Sequence, residues 1–73
     1  MSVHNTVKAF VQTGGMGSVT PTIEELAVHM GVSPSTARNR LEAAVRAGLM
    51  EKTPGKARGY RLSAAGRRIG MSV

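Results

Sequence analysis

Apolar positions fall along the chain in stripes whose period changes once, near Gly48. Val3, Val7, Phe10 and Val11 recur at the i, i+4, i+7, i+8 spacing of one helix face. Ser2 is placed to cap that helix and Gly14-Gly15 to end it. "GGMGSVTP", residues 14–21, then reads as a glycine-rich connector with room for one short strand at Ser18–Thr20. Thr22 and Glu25 next fit the S/T-x-x-E capping box, in which hydroxyl and carboxylate each satisfy an orphan amide of the first helical turn. The stripe behind it is Ile23, Leu26, Ala27 and Met30, with Gly31 at the left-handed position after the helix. That helix is barely two turns long, so tertiary packing must hold it.

Only Gly31-Val32-Ser33 separates it from a third helix, where Ser33 is an N-cap and Pro34 occupies N1, a position that needs no amide. Its buried stripe is Ala37, Leu41, Ala44 and Val45, and Gly48 closes it. Two short helices joined by about three residues including a glycine form a helix-turn-helix unit, here residues 22–48. Beyond Gly48, "LMEKT" and "GYRLS" are short extended segments around a Pro-Gly-bent tip at residues 54–59. In this hairpin, residues 49–62, Leu49, Tyr60 and Leu62 point toward the helices and Arg61 away. Ser63 then caps a short helix through Arg67, Arg68 and Ile69. The expected order is helix, short strand, helix, helix, strand, strand, short helix. Residues 1–73 thus read as one domain, mainly α with a small β-hairpin (α+β).

Charge changes this picture from a fold to a partner. Ten Lys and Arg face four Glu, for a net charge of +6 and a pI near 11.3. Residues 1–35 hold Lys8 against Glu24 and Glu25, a net −1, whereas residues 36–73 hold nine basic groups against Glu42 and Glu51, a net +7. Asymmetry of this size points to a polyanion, nucleic acid first and membrane surface second. No helix pairs a basic face with a wide apolar one, which argues against a membrane surface, and Phe10 and Tyr60 are too few for the base stacking of single-stranded RNA recognition. No apolar run approaches the roughly 18 residues of a membrane span and no signal-peptide pattern is present, so the expected location is the cytoplasm, on the nucleoid.

The third helix supplies the chemistry. Opposite its apolar stripe stand Ser35, Asn39, Glu42, Ala43 and Arg46, with Thr36 at the edge and Arg38 and Arg40 on the flanks. Asn reads adenine and Arg reads guanine through paired hydrogen bonds in the major groove, while Ser and Thr donate or accept. The N-terminal end of such a helix normally enters the groove. Candidate base readers are therefore Ser35, Thr36, Arg38 and Asn39. Candidate backbone contacts are Ser33, Arg40 and Arg46, with Lys52, Lys56, Arg58 and Arg61 of the hairpin, where phosphate contacts fix register without reading sequence. The bland alternatives are a solvated helix face and an edge hairpin kept soluble by its cations.

Other chemistry finds little support. With no cysteine there are no disulfides or thiolate metal sites. His4 and His29 have no ligand spacing and read as surface histidines. Glu24 and Glu25 are explained by the helix start. No serine sits in a nucleophile elbow and the glycines of residues 14–17 lack a P-loop lysine. The methionines read as core filler. No catalytic residue, metal, cofactor or small-molecule ligand is expected, and the chain does not read as an enzyme.

Residues 21–62 resemble the winged helix-turn-helix domains of bacterial and phage regulators, the DNA-binding domain of LexA-type repressors nearest among them. The resemblance is carried by "PTIEELA" at 21–27, "GVSPSTARNRLEAAV" at 31–45, "RAGLME" at 46–51 and "RGYRL" at 58–62. "YRLSAAGRRIG" at 60–70 also looks like the exit from the wing in MarR-type regulators. The resemblance implies sequence-specific binding of double-stranded DNA by a small transcriptional regulator, with repression the expected mode. Helix 34–47 would lie in the major groove and the basic wing, residues 52–61, on the backbone or in the minor groove. The chain has no room for a LexA-type protease domain or for MarR-type dimerisation helices, so both a self-contained regulator and an excised domain are compatible with it. A weak homodimer, or a monomer that dimerises on a palindromic site, is expected, with Val3, Val7, Phe10, Ile69 and Met71 as the apolar area on offer unless the monomer's own core consumes the first three. The alternative reading is a winged-helix interaction module whose basic face docks on an acidic protein.

Overall fold

The computed structural model describes residues 3–17, 20–53 and 59–71, the side chain of Met71 excepted. Its elements are α1 (Val3–Gln12), α2 (Ile23–Met30), α3 (Pro34–Arg46), β1 (Met50–Thr53), β2 (Gly59–Leu62) and α4 (Ala64–Met71). The strands β1 and β2 are antiparallel, with Met50 opposite Leu62, Glu51 opposite Arg61, Lys52 opposite Tyr60 and Thr53 opposite Gly59. The arrangement is mainly helical with a two-stranded hairpin, a winged helix. Among the described residues it has one strand fewer than expected. Ser18 and Val19 lie outside the described residues, and Thr20 is irregular. The Ser2 cap and the hairpin tip, residues 54–58, also lie outside the described residues.

One core joins all the elements. Val7, Ala9 and Phe10 of α1, Leu26 of α2, Leu41 and Ala44 of α3, Met50 of β1 and Leu62 of β2 are buried together, with Ile23, Met30, Val45, Tyr60 and Ile69 packed at the margin. The helical stripes fall where their spacing predicts, but α1 buries a wider arc that includes Ala9 and Thr6. Met50 fills the core, whereas Met16 is exposed.

In α2, Glu25 donates its amide to Thr22 Oγ1 at 3.1 Å and the Thr22 amide donates to Glu25 Oε1 at 2.9 Å. Such a cap contributes about 1 kcal/mol. Full burial of Leu26 contributes roughly 1.5–3 kcal/mol, so packing outweighs capping in holding this short helix. Gly31 ends it at φ 69 and Gly48 follows α3 at φ 79. At the end of α3, the Leu49 amide donates to Ala44 O (2.9 Å) and the Gly48 amide to Val45 O (3.0 Å). This paired closure needs a left-handed residue, which glycine adopts without a Cβ clash. It aims the chain directly into β1.

Candidate nucleic-acid interface

The start of α3 is fixed by its own residues. Ser33 Oγ accepts the Thr36 amide at 3.2 Å and donates to Thr36 Oγ1 at 3.1 Å, while Pro34 holds the first helical position. With Ala37, Leu41 and Ala44 buried, Ser35, Arg38, Asn39 and Arg46 are left exposed. Ser35, Arg38 and Asn39 therefore share the free N-terminal half of the helix. Thr36 lies at its edge, half-buried, with its hydroxyl oxygen already engaged by Ser33. Ser33 is exposed but committed to the cap. Arg40 is half-buried on the opposite flank. Arg38 borders a cleft of about 870 Å³ between Thr22 and Glu24 at the start of α2 and Lys52 and Tyr60 of the hairpin.

Glu42 departs from the position its helical phase suggests. Instead of pointing out among the candidate readers, its carboxylate turns to the hairpin. Tyr60 donates its hydroxyl to Glu42 Oε2 at 2.5 Å, and Lys52 Nζ lies 2.8 Å from Oε1. These bonds, that of Lys52 first and of Tyr60 second, hold the Glu42 carboxyl below its ordinary range. Burial, reinforced by the hydrogen bond to Glu42, pushes the Tyr60 phenol up to about 12. The only acid of α3 is thus spent on the hairpin. Neither Arg38 nor Arg46 forms an ion pair with a described acidic residue.

Within the hairpin, alternation separates the described cations. Lys52 and Tyr60 form a cross-strand pair facing α3, and Glu51 and Arg61 form the next pair on the other face. Arg61 Nε donates to Glu51 Oε1 at 3.1 Å. Lys52 and Arg61 are therefore not brought together, and each stands beside a carboxylate. The Glu51–Arg61 pair is about half exposed on each side, and a pair of this kind contributes only about 0–1 kcal/mol, whereas in the other pair the Lys52 side chain is largely exposed and that of Glu42 mostly covered. A phosphate can compete for either cation. Lys56 and Arg58 lie outside the described residues.

Sequence reasoning missed the Glu42–Tyr60–Lys52 cluster. Its members stand far apart in the chain and meet only through strand register and helix packing. It also assigned no role to the exposed Arg67 and Arg68 of α4. His4 and His29 are exposed as expected, and His29 Nε2 stands 3.0 Å from Gln12 Oε1, bridging α2 to α1.

Residues 1–59 match the family described as the LexA DNA binding domain. The chain is also similar to a LexA repressor of Ralstonia pickettii (strain 12J), at 38% identity over 65 residues, 88% of this chain. That stretch is 29% of the relative's own length.

Proposed function

Because the chain belongs to the LexA DNA binding domain family, we propose that it reads double-stranded DNA for a transcriptional repressor, with α3 in the major groove. The observation that carries this reading is the free face of α3. Ser35, Arg38 and Asn39 are exposed together at its N-terminal half, and its single acid is turned away into the wing. A helix that had only to stay soluble would interleave charges of both signs. Here the compensating negative charge is left to a partner.

In this reading Ser35, Arg38 and Asn39 meet base edges, with Thr36 at the margin of the groove. Arg40, Arg46 and Arg61 meet phosphates, together with Lys56 and Arg58 of the wing tip. Lys52 joins them only when Glu42 releases it. Ser33 serves the interface by fixing where the helix begins. No helix among the described residues is long and apolar enough to cross a membrane, and DNA binding by this chain implies a place on the nucleoid.

Selection of bound sites from random duplexes tests the reading. A defined motif should emerge, with affinity that falls steeply as salt rises because phosphate contacts release counterions. Uniform weak binding with no enriched motif would sink it and favour docking on an acidic protein surface.

A further inference from the structure

Glu42 is placed on the DNA-facing side of α3 by its helical phase, yet its carboxylate holds Lys52 Nζ at 2.8 Å and the Tyr60 hydroxyl at 2.5 Å. The two partners sit opposite each other on β1 and β2, two pairs out from the Met50–Leu62 root of the wing. The Lys52 side chain is 60% exposed and that of Glu42 only 29%. The ammonium is thus within reach of a polyanion while its present partner is anchored beneath it. Resting on the DNA-binding reading above, we propose that Glu42 determines specificity without touching a base. It competes with phosphates for Lys52 and so withholds one cation from non-specific binding.

The physical reason lies in what holds each kind of complex together. Binding to random duplex is almost wholly electrostatic, and each phosphate neutralised adds about 0.9 to the log–log salt slope. A protein on random DNA is free to rotate until any unengaged cation meets a phosphate. On its own site, base contacts fix the orientation of α3. The Tyr60 bond then keeps this part of the wing, and Lys52 with it, against α3. A freed Lys52 therefore strengthens random binding more than site binding. The ratio between the two falls.

The test compares a selected site with a random duplex across a salt series, using the wild type, Glu42→Gln, Lys52→Gln and the double variant. Glu42→Gln should bind random duplex roughly three- to tenfold more tightly at low salt and steepen its slope by about one unit, while the site-to-random ratio drops. Lys52→Gln alone should change random binding less than about twofold, because its cation is already occupied. The double variant should return to wild-type behaviour. A general effect of net charge would instead make Lys52→Gln bind random duplex clearly worse, with a slope one unit shallower. That outcome, equal gains on both duplexes, or a gain that survives in the double variant would overturn the proposal. If Glu42→Gln does not fold, Lys52→Gln alone still decides it. Failure of the wild type to bind either duplex would instead mark failure of the DNA-binding reading itself.

Discussion

Asn39 is exposed on the free face of α3, one turn from Ser35, where an amide can pair with both edge groups of an adenine. Replacing it with alanine should remove about 1–3 kcal/mol of discrimination at one base pair and leave the fold intact. Competition between single-base variants of the selected site measures this directly. Unchanged preference at every position would take Asn39 out of the reading set. Tyr60 offers a second test at the same scale. It is the only tyrosine in the chain, so its titration can be followed by absorbance without assignment. Its folded value of about 12 stands above the unfolded value of about 10. The folded state thus keeps this proton longer, and the stability it contributes is complete below pH 10 and lost as pH rises toward 12. Glu42 runs the other way. Its lowered value means a contribution present at neutral pH and lost as pH falls through the folded value. Tyrosinate absorbance should rise near pH 12 in the native protein and near pH 10 in denaturant. A native midpoint near 10 would show that the phenol is neither buried nor held by Glu42 as described.

α3, the wing and α4 join through one residue. Ser63 donates its hydroxyl to Gly48 O at 2.5 Å, accepts the Gly66 amide at 3.1 Å and donates its own amide to Leu49 O at 3.1 Å. One residue thereby ties the end of α3 to the return strand and caps α4. The helix can approach this closely because Gly66 has no side chain. A Cβ there would stand 2.0 Å from Leu49 O and 3.3 Å from Leu62 Cδ2. Leu49 O is backbone and already accepts Ser63, so it cannot yield cheaply. Gly66→Ala should therefore cost about 1–3 kcal/mol, the usual range for overpacking, through displacement of α4. Gly48→Ala meets open space and suffers only from its positive φ, roughly 1–2 kcal/mol. Denaturant unfolding of the two variants should rank Gly66→Ala as the more destabilised. The reverse order would mean that α4 does not pack as described.

For the whole molecule, the core decides what is left for self-association. Of the residues expected to form a dimer surface, Val7 and Phe10 are buried, and Val3 and Ile69 are packed against the core. The Met71 side chain lies outside the described residues. The exposed large hydrophobics among the described residues are Met16 and the 83% exposed Val28, on different segments and too few for a stable patch. A single recognition helix reads only a few base pairs, and helix-turn-helix domains gain affinity by binding in pairs to two-fold half-sites about one helical turn apart. The free protein should therefore sediment as a monomer and reach two copies per duplex on a selected palindrome. One copy per duplex on every selected site at saturation would sink this expectation.

How much of this was legible beforehand depends on how far apart in sequence the interacting groups stand. The Thr22–Glu25 capping box, the Ser33 cap with Pro34 behind it, the glycine closures after α2 and α3 and the Ser63 cap of α4 all involve groups within a few residues. Backbone geometry dictates such contacts locally, and the apolar stripes followed because a helix repeats every 3.6 residues wherever it is packed. That was enough for the helix-turn-helix, the hairpin behind it and the exposure of Ser35 and Asn39 on the outward face of α3, with Arg38 at its flank. Tertiary structure alone decided where Glu42 spends its charge, that Lys52 and Arg61 fall on opposite faces of the wing, and that α4 rests on the Leu49 carbonyl through Gly66. Each of these depends on strand register or helix packing between groups well separated in the chain. A shift of one residue in register would exchange Lys52 for Glu51 at the face of α3, and no local preference of the chain distinguishes the two.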